Sequence, residues 1–83
     1  KSSANQLVSI DCEKLGGALT RLRIKSGYYR IEAANIIGIS ESTLRSYEDG
    51  AREISIIAFY KLMQLYEVGD ISDFLINLGN QLE

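Results

Sequence analysis

Glycine punctuation constrains this chain more than any other feature. Proline is absent, and Gly27, Gly38, Gly50 and Gly69 fall at intervals of eleven to nineteen residues. Glycine is favoured just past helix ends, where the backbone turns left-handed. The spacing suits short helices better than strands joined by tight hairpins. Between the glycines the apolar residues recur at three- and four-residue steps, as an amphipathic helix requires. A first helix is expected from a cap at Asp11 to Ser26, with Leu15, Ala18, Leu19 and Leu22 as its inward stripe. Gly16-Gly17 should weaken it by about 1 kcal/mol per glycine. A second helix covers about Arg30 to Ile36, its narrow apolar face made by Ala33, Ala34, Ile36 and Ile37.

Ser40 then caps a third helix from Glu41 to about Glu48, with Thr43 three residues on where a capping box would place Glu. Only Leu44 and Tyr47 of that helix should point inward. So polar a helix is expected to lie against something other than the core. Ser55 caps a fourth helix, Ile56 to about Glu67, apolar around much of its circumference, and Gly69-Asp70 ends it. Ser72 opens a fifth, with Phe74, Leu75, Leu78 and Leu82 on one side. Five short helices joined by tight turns cannot form a long bundle, so the expected class is all-α with a compact orthogonal arrangement. Residues 1–10 show no sustained period and are read as a disordered arm; residues 11–83 are read as one domain.

Composition narrows the possible functions. Of 83 residues, 46% are apolar and 24% charged, a balance that builds one small globular core. No apolar run reaches the roughly 20 residues that cross a bilayer. The polar start KSSANQ does not read as a secretory signal, and the missing initiator methionine fits a piece of a longer protein. With no histidine and only Cys12, neither an internal disulfide nor a Cys/His zinc site can form. A reducing, cytoplasmic setting fits. No nucleophile–base pair can be proposed, so the chain is not read as an enzyme, and neither metal nor cofactor is expected.

The net charge of −2 is unevenly spread. Lys14 to Arg52 holds seven bases and four acids, a balance of +3, whereas Glu53 to Glu83 holds one base and five acids, a balance of −4. The basic half is suited to an anionic partner, although chance clustering on a solvated surface gives the same tally.

That half also carries an ordered motif: Leu22-Arg23, Gly27, Glu32, Ala34, Gly38-Ile39-Ser40, Leu44, Tyr47-Glu48, Gly50 and Arg52. In order and spacing it resembles the lambda-repressor-like (Cro-type, XRE) helix-turn-helix DNA-binding family, from Leu22 to Val68. The resemblance implies a five-helix domain with the helix-turn-helix at its second and third helices. Ala34 is small where those helices cross, Gly38 makes the turn, Ile39 fills the angle and Ser40 caps the reading helix.

By the same resemblance, Glu41, Ser42 and Ser46 stand where the family reads base edges in the major groove, with Arg45 beside them. Arg45 is the strongest single candidate, because a guanidinium matches guanine O6/N7. Glu41 is open to two readings, an acceptor for cytosine N4 or a favourable charge at a helix N-terminus. Ser40 and Ser42 suit phosphate better than base, and Ser46 also reads as a small solvated residue. Arg23 and Glu48 face the junction of the first and third helices and are expected to pair as a partly buried structural salt bridge. Arg52 reads either as a phosphate clamp or as a C-terminal charge for the reading helix.

Three departures stand out. Tyr29-Arg30 replaces the family's usual Ser/Thr-Gln, leaving Arg30 to meet phosphate while Tyr29 is a poor cap; Ile54 replaces a proline. Tyr28, Tyr29 and Ile31 form an aromatic-aliphatic cluster near the presumed DNA edge that either packs on the first helix or the arm, or holds a protein partner, or meets a thymine methyl and sugar. The apolar excess of Ile57, Tyr60, Leu65, Ile71 and Leu82 suits a homodimer through helices four and five. The resulting expectation is a regulator, acting as a repressor on a palindromic operator in double-stranded DNA. The other reading is a partner-binding, antitoxin-like module on the same fold, favoured by the acidic pI of 5.1.

Overall fold

The computed structural model describes residues 10–80, and side-chain environments over 10–79. The expected arm therefore lies almost wholly outside the described residues, as does Leu82. Five helices follow in order: α1 (Cys12–Ser26), α2 (Arg30–Ile37), α3 (Glu41–Glu48), α4 (Ile56–Leu65) and α5 (Ile71–Asn80). None is long and apolar enough to cross a membrane.

The helix starts follow from their caps. Asp11, Ser40 and Ser55 each accept from the backbone N–H three residues on. The Tyr29 side chain supplies no cap, in keeping with its chemistry, but Glu32 reaches back and accepts from the Tyr29 N–H at 2.8 Å. Between α2 and α3, Gly38 takes φ +84°, and its N–H and that of Ile39 return to the Ala34 carbonyl. That left-handed step is cheap only for glycine.

Four expectations need correction. The fourth helix stops at Leu65, not near Glu67, and the left-handed residue after it is Glu67 (φ +59°) in place of Gly69. The Val68 N–H donates to the Met63 carbonyl across that turn, closing the helix before the glycine is reached. The fifth helix begins at Ile71, because Asp70 and not Ser72 accepts from the backbone N–H of Asp73. Ile36 is 58% exposed and lies outside the α2 core face, which is Ala33, Ala34 and Ile37. The expected apolar excess also divides: Ile57 and Tyr60 are exposed, whereas Leu65 and Ile71 pack against the core.

The core gathers one stripe from each of α1 to α4, with Leu19, Leu44, Leu62 and Met63 fully enclosed. Phe74 and Leu75 of α5 pack against it from outside. Alanines 33 and 34 are completely buried where α2 meets its neighbours, α3 and α4.

The junction of α1 and α3 has a closer seam than side chains alone would make. A β-carbon on Gly16 would lie 2.6 Å from the Tyr47 carbonyl oxygen and overlap the Glu48 carbonyl as well. At the other side of the seam, a β-carbon on Gly50 would lie 2.8 Å from the Cα of Glu13. Gly17, by contrast, faces only the tip of Arg21 at 3.5 Å, an ordinary contact. Neighbouring glycines in one helix therefore have opposite expected behaviour. Gly16→Ala should destabilise the domain by about 1–3 kcal/mol through forced separation of α1 and α3. Gly17→Ala should stabilise it by up to about 1 kcal/mol through helix propensity. Urea denaturation of the two variants checks this, and equal effects of one sign would refute the seam.

Candidate nucleic-acid interface

The interface is built on α3, whose inward residues are Leu44, Tyr47 and the charged Glu48. A buried carboxylate is tolerated only when its lone pairs are taken up. The Glu48 side chain is 1% exposed and accepts from Arg23 Nε at 2.8 Å, Arg23 Nη2 at 3.2 Å and Arg30 Nε at 3.0 Å. Arg23 also donates through Nη1 to the Tyr28 carbonyl at 3.0 Å. Its hydrogen bond to Glu48 holds the guanidinium charged still more firmly than usual, against the cost of burial. One carboxylate thus joins α1, α2 and α3.

Arg23 and Glu48 pair at 2.8 Å, the carboxylate almost wholly buried. Arg30 is the partner that sequence alone does not report: expected at phosphate only, it turns its Nε inward to Glu48. Its side chain remains 26% exposed. Nothing in one-dimensional spacing reports an eighteen-residue contact between two helices.

Beside this cluster Tyr66 is buried, and its hydroxyl has no hydrogen-bond partner among the described residues. Burial, with the Glu48 charge second, raises its pKa from 10.0 to about 12. Tyr28 leans on the same ring, with centroids 6.4 Å apart and planes tilted by 42°. Tyr28 is therefore a packing residue, while Tyr29 and Ile31 stay exposed, so the three do not form one surface cluster.

The outward side of α3 carries the remaining candidates. Ser40 Oγ accepts from the Thr43 N–H at 3.1 Å, which caps the helix, and donates to Thr43 Oγ1 at 2.8 Å. Ser46 Oγ donates to the Ser42 carbonyl at 3.1 Å. Ser42 and Arg45 are exposed, Glu41 and Ser46 half-buried. Both ion pairs among the described residues end on Glu48, which leaves Arg45 unpaired. Past the end of the helix, the Arg52 guanidinium lies 5.7 Å from the Tyr47 ring centroid, within cation–π range. The Arg52 and Ala51 N–H groups both return to the Ser46 carbonyl, which puts Arg52 at the negative end of α3.

The outcome is a short helix, fixed from behind by a buried carboxylate and two arginines, with hydroxyls, one acid and one free guanidinium in front. The family model for the helix-turn-helix, of the XRE/lambda-repressor-like type, matches residues 19–71, well over half of the chain. This chain belongs to that family. It is a family of DNA-binding transcription regulators. No curated protein and no solved structure matches the chain significantly.

The helix-turn-helix domain should depend unequally on the members of the Glu48 cluster. Glu48→Ala would strand Arg23 without its counter-charge, at an expected cost of about 3–5 kcal/mol. Arg30→Ala removes a partly exposed partner and should cost about 1 kcal/mol or less; thermal or urea denaturation separates the two. Tyr66 gives a pH signature. Its folded pKa is raised above the unfolded value, so its contribution is complete below pH 10 and is lost as pH rises through about 12. Tyr66→Phe should flatten that alkaline loss and leave neutral-pH stability equal or slightly higher, because an unpaired buried hydroxyl is removed. A clear neutral-pH loss would mean that the hydroxyl is partnered in solution.

Proposed function

We propose that this domain is a sequence-specific transcriptional regulator that acts as a repressor, reading a palindromic operator in the major groove as a homodimer in the cytoplasm. The observation that carries the reading is the exposed, unpaired Arg45 on a helix whose opposite face is locked by Glu48. A free guanidinium on a fixed helix is the commonest means of recognising guanine. Around it, Glu41, Ser42 and Ser46 complete the base-facing side, and Ser40 sets the start of the helix next to the phosphates. Arg30 and Arg52 flank α3 and are assigned to phosphate contact, Arg30 with the nitrogens that Glu48 leaves free.

The dimer is assigned to helices α4 and α5. Ile56, Ile57 and Tyr60 are 76, 66 and 54% exposed on α4, and Ile76 is 48% exposed on α5. Symmetric pairing is the economical cover for an apolar strip of this kind. Half-sites would then lie about 34 Å apart, one turn of DNA. The domain is taken to extend over residues 11–83.

A partner-binding, antitoxin-like module on the same fold is the second reading, favoured by Tyr29 and Ile31, which are 75 and 52% exposed beside α2. Salt dependence distinguishes the two. Fluorescence anisotropy against duplexes from the region upstream of the protein's own gene should show affinity falling steeply with salt. Arg45→Ala should lose about 1–3 kcal/mol of discrimination between operator and unrelated duplex. Unchanged discrimination would remove Arg45 from the reading face. No binding at low salt, with Tyr29→Ala abolishing capture of a co-purified protein, would favour the second reading.

A further inference from the structure

The hydroxyl protons of Ser40, Ser42 and Ser46 can be followed one by one, and they bear on the kind of base edge that α3 accepts. A hydroxyl offers one proton and two lone pairs. Ser40 accepts the Thr43 N–H and gives its proton to Thr43 Oγ1. Its 3.2 Å contact with Ser42 Oγ is therefore one in which Ser42 donates. This saturates Ser40 and uses the only proton of Ser42. The Ser46 proton goes to the Ser42 carbonyl. What Ser42 and Ser46 still offer is lone pairs, and an ionised Glu41 offers nothing else. Arg45 offers only donors. It does not pair with Glu41, although a glutamate four residues before an arginine is the favoured order.

Resting on the DNA-reading assignment above, we infer that Glu41, Ser42, Arg45 and Ser46 of α3 together present a single donor fork bordered by acceptors. Each half-site therefore places one guanine against Arg45 and amino-bearing bases, cytosine or adenine, against Glu41 and its serine neighbours. In the major groove guanine O6 and N7 match the fork, and cytosine N4 and adenine N6 are the only base donors. Thymine O4 or a second guanine O6 at those neighbouring positions would face a carboxylate or a hydroxyl lone pair with no proton between them. Four residues of helix rise about 6 Å, against about 3.4 Å per base, so Glu41 and Arg45 reach bases one or two steps apart.

Selection of bound duplexes from a random pool tests this directly, using the chain, Glu41→Gln and Arg45→Ala in parallel. The unaltered chain should enrich sites with one guanine bordered by cytosine or adenine on the contacted strand. The glutamine amide adds donors, so Glu41→Gln should admit thymine or guanine at one bordering position, relaxing its preference roughly tenfold. Arg45→Ala should lose the guanine alone. Tight, salt-sensitive binding to sites without that guanine, or with thymine beside it, would overturn the inference and leave DNA binding intact. So would Glu41→Gln tightening all duplexes equally, which would make Glu41 a mere repulsion from phosphate. Failure to retain any duplex at low salt would instead overturn the DNA-reading assignment itself.

Discussion

The Glu48 carboxylate is the interaction on which the rest of the arrangement depends. It sits at the end of α3, almost without solvent, and accepts hydrogen bonds from arginines on α1 and α2. A charge so placed is costly unless it is fully paired, and the pairing it demands dictates where the three helices stand. Arg23 is spent on both its carboxylate and the Tyr28 carbonyl, so it also fixes the chain as it leaves α1. The hydrophobic core gives cohesion from below, and the forked guanidinium adds a directional constraint that apolar contacts lack. The paired carboxylate and the close α1–α3 seam act on α3 at the same junction.

Much of this could be read in advance where the information is local. Asp11, Ser40 and Ser55 announce their helices because a cap acts over three residues, and Gly38 announces its turn because its φ needs glycine. Arg23 with Glu48 became legible only through family resemblance, since the two lie twenty-five residues apart. The features that escaped are those set by tertiary contact. Gly16 looked like a weak point in α1 and proves to be where α3 touches its backbone. Ile36 reads as core from the apolar spacing of α2, but spacing does not say how wide a face the neighbouring helices cover. Glu67 has no sequence signal for a left-handed turn, and the glycine two residues later misdirected the helix end.

The candidate interface divides the same way. Ser40, Glu41, Ser42, Arg45 and Ser46 share the outward side of α3 simply because Leu44, Tyr47 and Glu48 take the inward one. Which of them are free to meet a ligand is a matter of hydrogen bonds already made, and these depend on rotamers that spacing does not specify. The charge asymmetry along the chain takes on a spatial meaning too. Two of the bases counted in its positive half are turned toward Glu48, so the outward positive charge near α3 rests on fewer side chains than the tally suggests.

The contact between Gly16 and the Tyr47 and Glu48 carbonyls carries a mechanical consequence. Side-chain interfaces yield under load by changing rotamers, and a helix resting on them can creep by fractions of an ångström. Backbone against backbone has no such compliance. Where α3 meets α1 without an intervening side chain, the joint behaves as a hard stop, and the helix that faces outward inherits its stiffness from the absence of a single methyl group.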